Sequence, residues 1–336
     1  MYLVIGAGLA GMSAAITLKK SGAQVAVLEA SDRAGGRVAT DKIDGFNLDR
    51  GFQLINANYS EVKRGNYLDG VAFKVAPRSV GVSTTNGIVK LGDPRNAPFS
   101  IFTKATGNLF AKAAFIRYLA SSPKIDESVE EHLLRTGTGD LYQKVLMPFL
   151  QGVFLAEPSQ VSAVVGREVI ASFIGGKSGV PVGGVAQLVE NMARQIKDLR
   201  FNTQVEELLS DGVITTSGKV FADKIILATD LTTAGQLTGA KELGRLTGST
   251  TWYHATETPP SESAELIVDS ENRGPVVNSI VISNLSSDYA PTGQHLISST
   301  TIKHSSESEV RRHLAKMWGS STENWRFLAK YEINSA

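Results

Sequence analysis

Three glycines near the start of the chain have a spacing that can bind a phosphate group. Gly6, Gly8 and Gly11 follow an apolar segment at residues 2–5 and open a helical pattern. Gly6 would allow a tight strand-to-helix turn, Gly8 would let the backbone approach a pyrophosphate, and Gly11 would let the helix pack close to the sheet. With Ala7 between them, these residues predict a dinucleotide-binding loop.

A carboxylate stands at the position that such a loop requires further along the chain. Glu29 comes 18 positions after Gly11 and directly after the apolar segment at residues 25–28. An acid there can accept both ribose hydroxyls of an adenosine, and it repels a 2′-phosphate, which disfavours NADP. The order of strand, glycines, helix, strand and acid supports dinucleotide binding, but it does not separate NAD from FAD.

Length and composition limit the elements that can position these residues. The chain has 336 residues, a formal net charge of +1 and no cysteine. This length accommodates two domains or one large α/β enzyme with a buried core. The balance of 34 basic and 33 acidic residues argues against a nucleic-acid partner. The absence of cysteine excludes disulfides, thiol nucleophiles and a cysteinyl-linked cofactor, and the five histidines show no metal-ligand spacing.

The sequence shows neither an export signal nor a membrane span. The first residues run straight into the glycine loop, without the basic region that a secretory peptide needs. The helical segment 101–120 is interrupted by Lys104, Lys112 and Arg117, so it lacks the roughly 20 apolar residues of a membrane helix. We therefore expect a cytoplasmic protein, with a weak membrane contact through residues 101–120 as the less favoured alternative.

A second glycine motif extends the dinucleotide loop. Gly35 and Gly36 are followed by Arg37, which would place a bidentate cation beside the same pyrophosphate. Together with the first glycine loop and Glu29, this motif resembles the flavin-containing amine oxidase superfamily. The superfamily includes monoamine and polyamine oxidases, protoporphyrinogen oxidases and phytoene desaturases.

The resemblance continues in three later segments. The Asp49-Arg50-Gly51 sequence matches the family's Asp-x-Gly segment, where the backbone passes close to the isoalloxazine ring. Phe52 after it either lines the flavin pocket or is a plain core aromatic. In the family, the position that matches Val205 pairs its backbone with adenine, and the segment ending at Ala228 resembles the second flavoprotein fingerprint.

The resemblance implies a set of cofactor-binding residues and non-covalently bound FAD. No catalytic acid or base is assigned, and no metal site is expected. The predicted cofactor-binding residues are Gly6, Ala7, Gly8, Gly11, Glu29, Ala30, Gly35, Gly36, Arg37, Gly51, Phe52, Gln53, Val205 and Ala228.

The predicted fold class is α/β, with a Rossmann-type, glutathione-reductase-like FAD-binding domain and an inserted α+β substrate domain. The FAD-binding domain is expected to comprise residues 1–65 and 178–236, and the substrate domain residues 66–177 and 237–330. In the predicted substrate domain, Asn86 and the glycine that follows it predict a type I′ turn between the two strands of a hairpin.

A further pattern, from residue 101 to about 154, is helical and predicts a cap over the flavin. It contains Ser128 and Glu131 at the spacing of a capping box. The preceding strands of the predicted hairpin are residues 73–83 and 88–91.

The resemblance implies an FAD-dependent oxidoreductase acting on a small-molecule substrate. Such a protein removes a hydride from a C–H bond of an amine, or of a large apolar molecule such as a polyene or tetrapyrrole, to flavin N5. Apolar helices between residues 101 and 154 slightly favour the apolar class by fold-level analogy. Two alternatives stay open, namely an NAD-dependent dehydrogenase and a non-catalytic dinucleotide-binding fragment. The sequence does not determine the electron acceptor or the oligomeric state.

The sequence departs from the superfamily at its C-terminal end. Full members have a Gly-Asp turn and a small-residue helix that close the flavin site, and the sequence ends where this segment would begin. Gly92-Asp93 and Gly139-Asp140 lie in the predicted substrate domain and do not replace it. We therefore expect a truncated member with weakened affinity for FAD, unless another chain supplies the segment.

Overall fold

The computed structural model describes residues 1–52, 54–92, 107–241 and 246–334. Within these ranges the chain forms five β-sheets and a group of helices. The strands are β1 (Tyr2–Ile5), β2 (Val25–Leu28), β3 (Thr40–Ile43), β4 (Phe46–Asp49), β5 (Ile55–Asn56), β6 (Phe73–Val75), β7 (Ser79–Thr84), β8 (Gly87–Gly92), β9 (Ser178–Pro181), β10 (Leu199–Arg200), β11 (Val205–Leu209), β12 (Gly212–Thr215), β13 (Gly218–Phe221), β14 (Lys224–Leu227), β15 (Ser249–Thr256), β16 (Leu266–Asp269), β17 (Val276–Val281), β18 (His295–Thr301) and β19 (Arg326–Ile333).

The helices lie mainly between and after these strands. They are α1 (Leu9–Lys20), α2 (Ser60–Gly65), α3 (Leu109–Ala120), α4 (Val129–Arg135), α5 (Gly139–Leu141), α6 (Met147–Phe154), α7 (Ala163–Gly175), α8 (Ala186–Ala193), α9 (Leu231–Thr238), α10 (Ile282–Leu285) and α11 (Glu307–Trp318). A π-helical segment at Tyr142–Leu146 joins α5 to α6, and short 3-10 turns lie at Pro158–Gln160 and Ser287–Tyr289.

A four-stranded parallel sheet positions the N-terminal glycine loop. Its order is β10-β2-β1-β14, and Val4 on β1 pairs with Val27 and Ile226 on its two neighbours. The central strands are apolar throughout because both faces are covered. Helices α1 and α8 pack on one face, and the antiparallel sheet β11-β12-β13 covers the other through residues such as Val205 and Val213. This arrangement confirms the predicted α/β fold class.

A seven-stranded sheet forms the second large layer, in the order β19-β15-β18-β17-β16-β7-β8. Helix α11 covers one face, with Leu314 and Met317 against Trp252. The opposite face carries Tyr253, which packs in a cluster with Leu48 of β4 and so connects the sheet to the N-terminal region. The four strands of the parallel sheet fall within residues 1–65 and 178–236, and the exact domain division stays a prediction.

Helices α3 to α7 pack together and against the large sheet. Their core contains Tyr118, Leu133 and Leu150, and Ala111 contacts the sheet residues Val82 and Val268 in a second cluster. The predicted capping box at the start of α4 is confirmed, since the Ser128 hydroxyl accepts from the Glu131 N–H and the Glu131 carboxylate accepts from the Ser128 N–H. The segment 93–106, with Asp93 and the beginning of the predicted helical segment 101–120, lies outside the described residues.

The predicted hairpin is present as β7 and β8, but its first strand and its turn type differ from the prediction. The predicted strand 73–83 is divided into β6 and β7, which belong to different sheets. Thr84 pairs with Gly87, so the two loop residues are Thr85 and Asn86. A type I′ turn needs a positive φ at both central residues, whereas here the positive φ of 113° falls on Gly87, after the loop.

Candidate cofactor-binding site

The geometry of the first glycine loop explains each of its three glycines. Gly6 has φ +100°, and a Cβ there would lie 2.6 Å from the Ala228 carbonyl oxygen. A Cβ on Gly11 would lie 1.9 Å from the Gly6 carbonyl oxygen, so α1 approaches β1 only with glycine at this position. A Cβ on Gly8, in contrast, would have no heavy atom of the described residues within 4 Å. Gly6 and Gly11 therefore serve close packing, whereas Gly8 leaves the backbone open to a ligand.

The second glycine motif lies directly against the first. The Gly35 N–H donates to the Ala7 carbonyl oxygen at 2.8 Å, and a Cβ on Gly36 would lie 3.5 Å from the Gly8 Cα atom. Both residues of the pair have positive φ, 110° and 57°. Arg37 is the next residue in the chain, and its side chain is exposed. The two motifs, separated in sequence, therefore form one backbone-lined opening.

An arginine that we did not predict braces this second motif. Arg33 donates from Nη1 to the Ala34 carbonyl oxygen at 3.2 Å and from Nη2 to the Gly36 carbonyl oxygen at 3.1 Å. Its guanidinium thus holds the turn that presents the paired glycines. The only signal in the sequence was its place within the segment between Glu29 and Arg37.

Glu29 lies at the carboxyl end of β2, beside the glycine loop. Its Oε2 accepts from the Ala7 N–H at 2.7 Å, and its Oε1 accepts from the Ser31 N–H at 2.9 Å and from the Ser31 hydroxyl at 2.7 Å. Ala30, next to it, is exposed. The carboxylate is therefore held in one orientation at the position where an adenosine ribose would lie.

The two later predicted segments also reach this opening. The Thr203 N–H donates to the Glu29 carbonyl oxygen at 2.8 Å, which brings the start of the Val205 strand beside the acid. The Ala228 N–H donates to the Ile5 carbonyl oxygen at 2.8 Å, at the end of β14 next to β1. Residues from four distant parts of the sequence thus meet at the carboxyl ends of the parallel strands, where ligands bind in open α/β sheets.

The predicted flavin segment lies between the two large layers. Gly51 is buried and has φ +97°. The Phe52 N–H donates to the Thr251 hydroxyl oxygen on β15 at 3.0 Å, and the half-buried Phe52 ring packs against the apolar cluster of this sheet face. Gln53 lies outside the described residues.

Asp49, two residues before Gly51, has a role that the sequence did not reveal. It is 3% exposed, and its Oδ1 accepts from the Thr40 hydroxyl at 2.6 Å and from the Val185 N–H at 3.0 Å. Its Oδ2 accepts from the Tyr289 hydroxyl at 2.6 Å. One carboxylate therefore joins the start of α8, the β3-β4 hairpin and the loop before β18.

Burial determines the protonation behaviour of this carboxyl. Removal from water raises the pKa of Asp49 to about 6, although the hydrogen bonds from Thr40, Tyr289 and Val185 favour the charged form. The Tyr253 hydroxyl donates to the Asp49 carbonyl oxygen at 2.9 Å. Burial and the neighbouring carboxylate raise the pKa of Tyr253 and of Tyr289 well above the usual value.

A second buried carboxylate lies on the other side of the large sheet. Asp269 Oδ2 is 2.9 Å from His313 Nε2, and the Val276 N–H donates to His313 Nδ1 at 3.0 Å. Since Nδ1 accepts, the ring proton of a neutral His313 is on Nε2 and points at Asp269. Arg273 Nε donates to Asp269 Oδ1 at 2.9 Å. This network attaches α11 to the sheet and lies apart from the predicted cofactor-binding residues.

A surface cleft of about 650 Å³ also lies apart from that opening. Thr256, Gln294 and Trp325 are among its lining residues, at the ends of β15, β18 and β19. None of the predicted cofactor-binding residues lines this cleft, so the cleft does not indicate where a cofactor would bind. In the described ranges, no three His, Asp or Glu side chains cluster as metal ligands. Nor does any helix of these ranges have the length and apolar character to cross a membrane.

Comparison with known families decides which kind of protein carries this opening. The family model described as flavin containing amine oxidoreductase matches residues 9–325. The chain belongs to this family. The match includes the second half of the glycine loop, Glu29, the paired glycines and the Asp49 to Gly51 segment, and it confirms the predicted resemblance.

Individual relatives of this flavin family are distant. Chloroplastic protoporphyrinogen oxidase of Nicotiana tabacum is 26% identical over 183 residues, covering 48% of this chain and 30% of that protein. Putrescine oxidase of Kocuria rosea is 26% identical over 217 residues, covering 58% of this chain and 45% of that protein. A solved oxidoreductase from Methanosarcina mazei has a TM-score of 0.79 at 16% identity, covering 99% of this chain and 88% of that chain. The matched segments span less than half the length of either curated relative. At 16% identity, the solved structure shows only that the fold is shared.

The residues at the opening fit the cofactor of the flavin family. The backbone at Gly8 is open to a pyrophosphate, Glu29 is held in one orientation beside it, and Arg37 follows Gly36 in the chain. Gly51 and Phe52 lie on the side of the large sheet. These are the residues that would hold the adenosine, pyrophosphate and flavin parts of FAD.

Proposed function

We propose that the chain binds FAD without a covalent link and removes a hydride from a C–H bond of a small-molecule substrate. The observation that carries this proposal is the contact between the two glycine motifs, where the Gly35 N–H meets the Ala7 carbonyl oxygen beside the oriented Glu29. When bound, FAD would accept the hydride. The chain's own residues orient the substrate against it and exclude water.

The segment around Gly51 favours FAD over the alternative of NAD. A nicotinamide dinucleotide needs the first glycine loop and Glu29, but it has no use for Arg37 or for the backbone at Gly51. In the fold, that backbone is fixed to the large sheet by the Phe52 to Thr251 hydrogen bond of 3.0 Å. A non-catalytic binding fragment would need the first opening only, so this second fixed segment supports a catalytic role.

The substrate is proposed as a class only. Two relatives are named after protoporphyrinogen, a tetrapyrrole, and putrescine, an amine. The large apolar class is favoured here because helices α3 to α7 carry exposed apolar side chains, among them Phe110, Ile116 and Val164. We assign no protein acid or base to the reaction, and the cytoplasmic location stays a prediction.

An absorbance spectrum followed by anaerobic photoreduction tests the proposal. Purified protein mixed with FAD and passed through a desalting column should keep a yellow flavin spectrum. With EDTA as the electron donor, light should bleach this spectrum under anaerobic conditions, and oxygen from air should restore it. A colourless protein after desalting, whose fluorescence is quenched by NADH, would favour the NAD-dependent dehydrogenase instead.

A further inference from the structure

Three polar side chains form a line across the large sheet, starting next to Phe52. Thr251 on β15 pairs with Thr300 on β18, and Thr300 pairs with Asn278 on β17. Directly paired residues of antiparallel strands point to the same face. Thr251 is 1% exposed and the other two are each 4% exposed. The line therefore crosses three strands on the face that meets the predicted flavin segment.

Two oxygen atoms of this line lack a hydrogen bond. Thr300 Oγ1 and Asn278 Oδ1 are buried and have no hydrogen-bond partner among the described residues, whereas Thr251 Oγ1 accepts from the Phe52 N–H. A buried polar group without a hydrogen-bond partner lowers the stability of the fold. The unpaired oxygens of Thr300 and Asn278 therefore need an explanation other than stability.

The opposite face of the same strands shows the contrast. Ser279 and Ser299 share a hydrogen bond of 2.9 Å, and Trp252 donates to the Thr301 hydroxyl at 3.1 Å. These hydroxyls are buried to the same degree but have partners. Unpaired buried atoms occur on both faces, since Ser298 Oγ lies on the face of Thr300 and His254 Nδ1 on the opposite face. The unpaired atoms of Thr300 and Asn278 are distinguished by their place in one line that starts at the predicted flavin segment.

A β-bulge brings Asn278 into the line. The register of β17 against β18 shifts between Val276 and Asn278, so that Val276 pairs with Thr301 and Asn278 with Thr300. Bulges re-aim side chains and are frequent next to active sites. Helix α6 passes over this point, and a Cβ on Gly152 would lie 2.3 Å from Asn278 Nδ2. The line thus runs from the flavin segment to the helical part of the protein.

We propose that Thr300 and Asn278 form a substrate subsite for a neutral hydroxyl or N–H group on an otherwise apolar molecule. Asn278 Oδ1 accepts only, so the ligand must donate there, while Thr300 Oγ1 accepts or donates. The same sheet face carries Ile280 and Leu296, which are apolar and fully buried. Asp49, a carboxylate near this face, already accepts three hydrogen bonds, so it does not provide a free anion for an ammonium group. This inference rests on the proposed function.

Thermal unfolding of the FAD-loaded protein without substrate gives the first test. Thr300→Val keeps the side-chain shape and removes an unpaired hydroxyl, so its midpoint temperature should equal or exceed that of the wild type. Ser299→Ala, on the opposite face of the same strand, removes a paired hydroxyl and should lower the midpoint. A lower midpoint for Thr300→Val would show that the hydroxyl has a structural partner, and it would overturn the subsite.

Binding of matched probes gives the second test. We would titrate the FAD-loaded protein with farnesol, with the hydrocarbon of the same skeleton, and with putrescine, following the flavin absorbance. Farnesol should bind about five- to tenfold more tightly than the hydrocarbon, the effect of one hydrogen bond. Thr300→Val should reduce this preference, since only the Asn278 acceptor remains, and it should leave hydrocarbon binding unchanged. Equal binding of both probes by the wild type, or tightest binding of putrescine, would contradict the proposal.

The proposed function and the subsite fail in different ways in these tests. Thr300→Val does not touch the glycine loop or Glu29, so it should retain FAD and its photoreduction. A wild-type protein that does not retain FAD would contradict the proposed function. A protein that retains and photoreduces FAD but shows no preference for farnesol would contradict only the subsite.

Discussion

The Tyr289 hydroxyl donates a hydrogen bond of 2.6 Å to Asp49 Oδ2 across 240 positions of sequence. The same carboxylate accepts from the Val185 N–H, at the start of α8. Asp49 therefore ties the large sheet to the parallel-sheet region two residues before Gly51. The position of the predicted flavin segment depends on this buried carboxyl and its partners.

Asp49→Asn should change how stability depends on pH. Burial raises the folded-state pKa of Asp49 to about 6 from 3.8. The neutral carboxyl therefore contributes fully to folding stability below pH 3.8, and this contribution is lost as the pH rises through 6. Between pH 4 and 7, the unfolding free energy of Asp49→Asn should rise relative to the wild type by on the order of 3 kcal/mol. Urea unfolding of both proteins across this range measures the difference, and parallel curves would contradict it.

Asp269→Asn should show the opposite pH dependence. Burial alone would raise the pKa of Asp269, but hydrogen bonds from His313, from Arg273 and from backbone N–H groups hold it well below the usual value. Its contribution is present above pH 3.8 and is lost as the pH falls. We expect a destabilisation of about 3 kcal/mol at pH 7, with a smaller loss at pH 3. Guanidinium unfolding at both pH values measures this, and an equal loss at both would refute the assignment.

The variants Gly11→Ala and Gly8→Ala should separate an effect on folding stability from an effect on FAD binding. A Cβ on Gly11 would lie 1.9 Å from the Gly6 carbonyl oxygen, so the backbone must shift and Gly11→Ala should lose roughly 2–4 kcal/mol. Gly8 has φ −70° and open space, so Gly8→Ala should unfold like the wild type but bind FAD more weakly. Thermal unfolding and FAD titration of both variants test the pair. If Gly8→Ala bound FAD normally, the ligand would not approach this backbone.

Glu29→Gln should weaken FAD binding. The charged carboxylate is the stronger acceptor for ribose hydroxyls, and we expect roughly a tenfold loss of affinity. Glu207→Gln, an exposed residue on β11, serves as the control. Fluorescence titration with FAD compares the three proteins. Equal affinities for the two variants would remove Glu29 from the cofactor site.

Local spacing explains why the cofactor loop could be predicted from sequence. Gly6, Gly8, Gly11 and Glu29 belong to one strand-helix-strand unit, so their contacts depend on neighbours within about one turn or one strand. The parallel sheet followed from the same short apolar segments. The helix caps at Ser128 also depend on residues only three positions apart.

Long-range contacts explain what the sequence could not show. Asp49 was visible in its motif, but its partner Val185 lies 136 positions away, and no spacing rule connects them. The line of Thr251, Thr300 and Asn278 depends on strand pairing and on a bulge, which one sequence does not encode locally. The hairpin of β7 and β8 was predicted correctly, but its turn type was not, since the positive φ falls on Gly87 after the two loop residues.

Isothermal titration of the purified chain with FAD and with NAD tests the central claim most directly. We predict one FAD site per chain, little or no heat with NAD, and a clear loss of FAD affinity in Gly8→Ala while its thermal unfolding is unchanged. The claim is that the joined glycine motifs, with Glu29 beside them, bind FAD. Binding of NAD but not FAD, or FAD binding that Gly8→Ala does not weaken, would contradict it.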